Sequence, residues 1–294
     1  MPGIPPRYPS RRGLRGPLGQ PMFPVMAQAK VRTATLARKP DRNPPVKPGT
    51  AGDYGARHQP LRPDRLTERI LYRDGLMLVI DKPAGIAVHP GPGGGPHLEH
   101  WFPLLRFGLP HPPALAHRLD RDTSGCLVLG RHPKALRRLG RLFAESKVEK
   151  TYWAVVAGIP APPQGRIETG LRKETRGTGW HMVVDPEGQH AVTEYRVLGT
   201  HDGRAWLELR PQTGRTHQIR VHCAVLGCPI VGDPAYGGPG EVPLQLHARA
   251  IALPLYPAKP PVAVTAPVPQ HMLPALRRLG YSDADREPAA GRVV

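Results

Sequence analysis

The chain has 294 residues, of which 41 are Lys or Arg and 23 are Asp or Glu, so its formal net charge is +18 at pH 7. This length allows one large domain or two small ones, and the charge favours a polyanionic partner such as nucleic acid. Three cysteines cannot form a complete set of disulfides, which indicates a reducing compartment. No run of about 18 apolar residues occurs, so the sequence predicts no membrane-spanning helix.

The charge and the prolines concentrate at the N-terminus. Residues 1–63 hold twelve Lys or Arg, two acids and thirteen prolines. Such a segment buries too little apolar surface to offset the entropy lost on ordering, so residues 1–64 are predicted to be a disordered basic arm rich in Pro and Arg. Three interpretations of the arm stay open: an RNA tether, a passive tail (or sequence upstream of a start at Met26), and a mitochondrial transit peptide. Residues 65–294 are predicted to form the folded domain.

The first half of the folded part predicts three strands and a helix. ERILYRDGLMLVIDKPAG reads as two short strands joined by a turn, and HPGPGGGPH as a flexible loop. GCLVLGR is a continuous apolar run that suits a buried strand. The helix follows Pro133, with leucines and Phe143 on one face and Arg137, Arg138 and Arg141 on the other.

The second half contains more strands than helices. TYWAVVAG predicts a strand, and AVTEYRVL with RAWLELRP predicts an antiparallel pair. THQIRVHCAVLG has a helical pattern that ends at Gly227. LQLHARAIALP and PVAVTAP predict late strands, and QHMLPALRRLGY predicts a final helix. Because several neighbouring strands are expected to be antiparallel, the predicted fold class is α+β.

The densest polar cluster is AHRLDRDTSG, residues 116–125, directly before the predicted buried strand. It contains His117, Arg118, Asp120, Arg121 and Asp122. Nearby positive charge keeps a carboxylate ionised, and an ionised Asp can act as a nucleophile or a base. On the residues alone, a surface turn with a local Arg–Asp pair is the favoured interpretation.

A second cluster is RPQTGRTHQIRVH, residues 210–222. Arg215, His217 and Arg220 surround the start of the predicted helix, which makes this segment a candidate anion site. Arg220 could instead turn inward and pair with a carboxylate, and a basic surface helix is the simpler alternative. Spacings typical of zinc sites, of G-x-S-x-G hydrolases, of P-loops and of dinucleotide-binding folds are absent from the sequence.

The two clusters, with two further segments, resemble the signatures of the RluA-type pseudouridine synthases. HRLD followed by DTSG, KPAGIAVHPG upstream, KTYWAVVAG downstream and TGRTHQIRVHCAVLGCPIVGDPAYGG occur in the family's order. The resemblance spans roughly residues 69–270. It implies a catalytic domain with a mixed, mainly antiparallel central sheet flanked by helices and loops, with the cleft across the sheet.

The resemblance also implies the chemistry of the site. Asp120 matches the catalytic aspartate that promotes cleavage of the C1′–N1 bond of uridine. Tyr152 matches the tyrosine that stacks on the target base and is implicated in proton removal, and Arg220 matches the arginine that pairs with the aspartate. Arg118 matches the residue that can insert into the RNA stack when the uridine flips out, and Leu246 matches an apolar residue of the pocket.

The predicted partner is RNA, contacted by five residues, and no metal or cofactor is expected. The RNA-binding set is His117, Arg118, Arg121, Arg215 and His217. Many relatives carry an S4-like domain before the catalytic part, and none is evident here. Ribosomal RNA is favoured and transfer RNA stays open. The expected protein is a cytoplasmic monomer, or a mitochondrial one if the arm is a transit peptide. The alternatives are a non-catalytic RNA-binding ribosome assembly factor on the same scaffold and a phosphodiester hydrolase.

Overall fold

The computed structural model describes residues 63–90, 94–176, 179–238, 240 and 242–282. Residues 1–62 of the predicted arm lie outside the described residues, as does the middle of the predicted loop at 91–93. The first described element is a 3₁₀ helix, Pro63–Arg69, which begins two residues before the predicted start of the folded domain.

The described part is built around one sheet of eleven strands. The strands are β1 (Ile70–Arg73), β2 (Met77–Lys82), β3 (Ala114–Leu115), β4 (Ser124–Gly130), β5 (Glu149–Ala157), β6 (Gln164–Arg176), β7 (Gly179–Val184), β8 (Gln189–His201), β9 (Arg204–Pro211), β10 (Leu246–Leu253) and β11 (Val262–Thr265). The helices are α1 (Pro133–Ala144), α2 (Gln218–Val225), α3 (Leu273–Arg278) and a second 3₁₀ helix (Leu98–Leu105).

The strands lie in the order β1-β2-β4-β10-β5-β9-β8-β6-β7, with β3 also on β4 and β11 also on β10. Only the β4–β10 pair is parallel among the described strands, and every other pair is antiparallel. The fold is therefore α+β with a mixed, mainly antiparallel sheet, as predicted.

Strand β5 shows how the sheet separates two faces. Ala154 and Val156 belong to the apolar cluster that α2 covers, whereas Trp153 and Val155 belong to the cluster that α3 covers. This alternation follows the two-residue period of a strand. Tyr152 packs against two apolar clusters, the one that α2 covers and another that β2, β4 and the 3₁₀ helix Leu98–Leu105 form. Its side chain therefore lies between these two clusters.

The centre of the sheet brings two backbones unusually close. A Cβ atom added at Gly125 of β4 would lie 2.2 Å from the carbonyl oxygen of Ala248 in β10, and Gly125 has φ +106°. Glycine is therefore required where these two strands meet. The contact lies directly after the turn that carries Asp120.

The predicted elements are found at or near their expected positions, and further elements that were not predicted join them. All seven residues of β4 are buried, as its apolar run predicts, and α2 is followed by Gly227 with φ +75°. The β6–β7 hairpin, the short strand β3 and the two 3₁₀ helices were not predicted. The hairpin is rich in charged and polar residues, so it lacks the apolar alternation that identifies a strand.

Candidate active site

Asp120 lies in a tight turn between β3 and β4. The backbone N–H of Thr123 donates to the carbonyl oxygen of Asp120 at 3.2 Å, which closes the turn. The carboxylate points toward the start of α2, where its Oδ2 lies 3.7 Å from Nη1 of Arg220 and 3.8 Å from Nε2 of His217. One fifth of the side chain is exposed, so the carboxylate is both accessible and close to positive charge.

A buried lysine holds this turn from beneath. The Nζ of Lys82 donates to the carbonyl oxygens of Pro83 at 2.8 Å, Arg121 at 2.8 Å and Thr123 at 2.9 Å. Burial lowers the pKa of Lys82 to about 7, although the nearby charges of Asp122 and Asp120 act to raise it. Three ammonium protons match three carbonyl oxygens, so Lys82 fixes the backbone that presents Asp120.

Arg220 is held by a second carboxylate. Its Nε and Nη2 donate to Oδ2 and Oδ1 of Asp233, each at 2.7 Å, and Asp233 is fully buried. Burial disfavours the charge of Arg220, but the hydrogen bonds and charge of Asp233, with the charge of Asp120, raise its pKa above the usual value. The bidentate pair leaves Nη1 directed toward Asp120, so the guanidinium is oriented before any substrate binds.

Aromatic rings continue the site beyond Asp120. His217, with φ 52°, precedes α2, and its Nδ1 shares a 2.8 Å hydrogen bond with the hydroxyl of Tyr236. The same ring stacks on Trp180 of β7 at 5.0 Å between centroids. Burial lowers the pKa of His217, although the charge of Asp120 acts to raise it. A neutral imidazole therefore lies beside the carboxylate at neutral pH.

The carboxylate opens onto a cleft of about 450 Å³. Tyr152 of β5 and the buried Leu246 of β10 contribute to its lining, with Lys150 beside them. Burial, and then the charge of Asp120, raises the pKa of the Tyr152 hydroxyl above its usual value. The cleft has the size of a small-molecule site and combines an apolar floor with one carboxylate and several cations.

Comparisons with known proteins agree with this geometry. A family model described as RNA pseudouridylate synthase matches residues 76–225. An uncharacterized RNA pseudouridine synthase of Zymomonas mobilis is 42% identical over 210 residues, covering 70% of this chain and 95% of that protein. The chain belongs to the RNA pseudouridine synthase family. It is an isomerase that converts uridine to pseudouridine in RNA, and the predicted resemblance is confirmed.

A mitochondrial relative and a solved structure are also similar to this chain. The mitochondrial pseudouridylate synthase RPUSD4 of Bos taurus is 31% identical over 273 residues, covering 76% of this chain and 72% of that protein. The structure of human RNA pseudouridylate synthase domain-containing protein 4 is 30% identical with a TM-score of 0.64, covering 74% of this chain and 95% of that one.

The synthase brings most of its predicted site residues together. Asp120, Tyr152, Arg220 and Leu246 all line the cleft. The expected pairing of Arg220 with Asp120 is present as a 3.7 Å ion pair, but the two hydrogen bonds of Arg220 go to Asp233. The reason is geometric, because a planar guanidinium can satisfy one carboxylate bidentately and only approach a second.

The predicted RNA-binding residues of the synthase differ in their surroundings. Arg118 and Arg215 are exposed and line the cleft, as does His217. His117 also lines it, but its Nε2 accepts the N–H of Val128 at 3.0 Å and burial lowers its pKa to about 3, so it is neutral and supports β4. Arg121 pairs with Asp122 outside the cleft lining.

Sequence reasoning missed three residues that support the synthase cleft, namely Lys82, Asp233 and Tyr236. Each lies inside a quoted family segment without having been assigned a role. Of the three, Lys82 is the one that the sequence itself could have identified, because it is a charged residue at the end of the apolar strand MLVIDK. A lysine in this position needs either solvent or a set of buried acceptors.

The described part of the synthase shows no cluster of three or more His, Cys, Asp or Glu side chains that could hold a metal ion. The prediction of a site without metal or cofactor stays a prediction. Cys126, Cys223 and Cys228 are buried and free. None of the helices in the described ranges has the length and apolar content that crossing a membrane requires.

Proposed function

We propose that this synthase isomerises specific uridines in structured RNA, with Asp120 as the catalytic residue and ribosomal RNA favoured over transfer RNA. The observation that carries the assignment is that Asp120 is the only acidic residue among the described residues lining the cleft. Isomerisation must break the C1′–N1 bond, form a C1′–C5 bond, place a proton on N1 and remove one from C5. We assign the first of these steps to the single carboxylate of the cleft, because an Asp side chain can act as a nucleophile.

Arg220 is proposed to orient that carboxylate. The guanidinium keeps a positive charge 3.7 Å from Oδ2 of Asp120, close enough to orient the carboxylate. Both short hydrogen bonds of Arg220 go to Asp233, so Arg220 approaches Asp120 without binding it tightly. The carboxylate stays free to approach the ribose.

Tyr152 is proposed to contact the flipped base and to take part in moving the C5 proton. Its ring lies in the cleft with Leu246, and an aromatic face beside an aliphatic wall can hold an extruded pyrimidine. Its raised pKa keeps the hydroxyl protonated at neutral pH, so the phenol meets the base as a hydrogen-bond donor or acceptor before any proton moves.

Arg118 is proposed to occupy the stack that the uridine leaves. A uridine in folded RNA must be flipped out before its C1′ is accessible, which costs a few kcal/mol of unstacking. Arg118 is exposed at the rim of the cleft, and its flat guanidinium can fill the vacated space. Arg215 at the same rim is proposed to contact phosphate, with His117 and Arg121 supporting the loop.

The proposed setting is a monomer in the cytoplasm, with mitochondria as the alternative. Relatives from Bos taurus and Arabidopsis thaliana carry mitochondrial in their names, and the basic N-terminal segment is compatible with a transit peptide. Fractionation of cells that express the full chain distinguishes the two compartments.

The test is transcriptome-wide chemical mapping of pseudouridine in cells that carry the wild-type chain or Asp120→Ala. We expect one or a few sites to disappear in the variant, and the RNA that holds them identifies the substrate. The variant must be folded and must still bind RNA, which circular dichroism and RNA co-purification check. A folded, RNA-bound Asp120→Ala protein with an unchanged map would contradict the proposal and favour a non-catalytic assembly factor.

A further inference from the structure

A second groove continues the catalytic cleft. It has a volume of about 390 Å³ and lies between β6, β7 and the turn that leads into β8. Arg118 and Thr216 line both spaces, so the two are adjacent along the surface. The buried Leu171 and Met182 contribute an apolar floor to the groove.

The wall of the groove is a closely packed hairpin. A Cβ atom at Gly170 would lie 2.1 Å from the carbonyl oxygen of Asp185, and one at Gly188 would lie 2.6 Å from the backbone of Leu171. The turn between β7 and β8 therefore lies directly on β6. A hairpin anchored in this way gives the groove a fixed shape.

The groove presents an exposed aromatic ring beside basic side chains. Trp180 is 38% exposed, an unusual position for a residue of this size. Its ring stacks on His217, whose Nε2 lies 3.8 Å from Asp120, so it is one ring removed from the catalytic carboxylate. The ammonium of Lys173 lies 4.8 Å from the centroid of Trp180.

Charge in the groove is mainly positive. Arg118, Arg172 and Lys173 line it, against one carboxylate, Glu187. Arg172 is paired with Asp185 outside the groove lining, whereas Lys173 rests on the tryptophan ring. A surface cation–π contact is weaker than base–aromatic stacking. An incoming base can therefore replace Lys173 on the ring and leave its ammonium to meet the adjoining phosphate.

We propose that this groove binds an unpaired nucleotide next to the target uridine, with its base on Trp180 and its phosphate at Lys173. The inference rests on the proposed function, because it takes the cleft beside Asp120 as the place of the flipped uridine. An aromatic face with a nearby cation is a recurring arrangement for single-stranded nucleic acid. The synthase would then select sites where the uridine has an unstacked neighbour.

The test uses two fluorescein-labelled RNAs of twelve nucleotides, each with one central uridine among adenosines. In the second RNA the nucleotides on both sides of the uridine are abasic. Fluorescence anisotropy with the full chain gives the dissociation constants at several salt concentrations. For Trp180→Ala we expect about ten-fold weaker binding to the first RNA and little change for the abasic RNA. Trp180→Phe keeps an aromatic face and should restore most of the affinity.

Lys173→Gln tests the phosphate contact. Log affinity falls as log salt concentration rises, and losing one phosphate contact to single-stranded RNA should make this slope shallower by about 0.7. Arg277→Gln is the matched control, because Arg277 is exposed on α3, on the opposite face of the sheet. The same slope change in Arg277→Gln would overturn the phosphate assignment.

Failure of the groove inference can be distinguished from failure of the proposed function. The inference is wrong if Trp180→Ala binds both RNAs like wild type, or loses equal affinity for both. Because anisotropy needs no turnover, a base-dependent loss with Trp180→Ala supports the groove even if pseudouridine mapping fails to detect isomerisation. Conversely, suppose that Asp120→Ala abolishes pseudouridine sites while Trp180→Ala binds both RNAs like wild type. That result would support the proposed enzymatic function and reject the nucleotide-binding groove.

Discussion

Two largely buried cations, Lys82 and Arg220, lie near the turn that carries Asp120 and have different roles. Lys82 lies beneath the turn and donates to three main-chain carbonyl oxygens. Arg220 lies on the cleft side and donates to the carboxylate of Asp233. The charge of Asp120 acts to raise the pKa of both cations, but at Lys82 burial outweighs it.

The partners decide what each cation contributes. Carbonyl dipoles do not compensate fully for burial, so the pKa of Lys82 falls to about 7. A buried carboxylate does compensate, so the pKa of Arg220 rises despite burial. Lys82 therefore sets the shape of the loop, whereas Arg220 provides a permanent charge in the cleft. Mutagenesis can remove the partner of Arg220, which is a side chain, but not the partners of Lys82, which are main-chain carbonyl oxygens.

The largest effect on this comparison is expected from Arg220→Gln. The change leaves Asp233 buried without its partner, which costs about 3–5 kcal/mol of unfolding free energy when a buried pair is broken on one side. It also removes the positive charge beside Asp120, and we expect kcat to fall about a hundred-fold. Urea unfolding and single-turnover isomerisation on the mapped substrate measure the two losses separately.

The double variant with Asp233→Asn sharpens this result. Removing both charges avoids a lone buried carboxylate, so stability should return toward wild type while activity stays low. Recovery of activity together with stability would show that Arg220 acts only through the fold. Failure to recover stability would mean that the Arg220–Asp233 pair is not the source of the loss.

Lys82→Met tests the other cation and is expected to have a smaller effect. Methionine fills the apolar space but removes all three hydrogen bonds of the ammonium. Within the described part of the chain, only one of their acceptors, the carbonyl oxygen of Arg121, keeps another donor, the N–H of Gly85 at 3.0 Å. The unfolding free energy should therefore fall by about 3 kcal/mol. Lys150→Met is the matched control, because Lys150 donates to a single carbonyl oxygen, that of Thr213, at 2.9 Å. Chemical unfolding of both variants checks the difference, and equal losses would reject the role of the three-carbonyl set.

The sheet was predictable where burial follows a simple period. Strand β4 is a run of buried residues, and burial in β9 alternates from Leu207 to Pro211, so both are visible in the sequence. The β6–β7 hairpin carries its few buried side chains, including Leu171 and Met182, among charged ones. Strand β6 is held by pairing with β8 and β7, and close glycine contacts fix the hairpin further, which single-sequence patterns do not encode.

The candidate site was predictable through the family signatures, residue by residue. Asp120, Tyr152, Arg220 and Leu246 come from four distant segments, and the fold collects them around one cleft. Asp233 was missed because its burial is tertiary. A Cβ atom at Gly238 would lie 2.7 Å from the backbone nitrogen of Asp233, so a close backbone return encloses the carboxylate. No local pattern distinguishes such an aspartate from an ordinary loop residue.

The smallest expected effect is a pH dependence that separates the two cations. The pKa of Lys82 is about 7 in the folded chain against 10.5 for an ordinary lysine, so between these values the unfolded chain binds more protons. Stability from this group is complete above about pH 10.5 and is lost as pH falls through 7. Arg220 stays charged throughout this range and contributes no such slope.

Urea unfolding between pH 7 and 9.5 measures this slope. The free energy of unfolding of wild type should rise with pH by up to about 1.4 kcal/mol per unit more than that of Lys82→Met. Lys150, whose pKa burial lowers to about 8, is present in both proteins and cancels in the comparison. Parallel pH profiles would mean that the three carbonyl oxygens hold Lys82 fully protonated, and that the two cations differ in partner but not in charge.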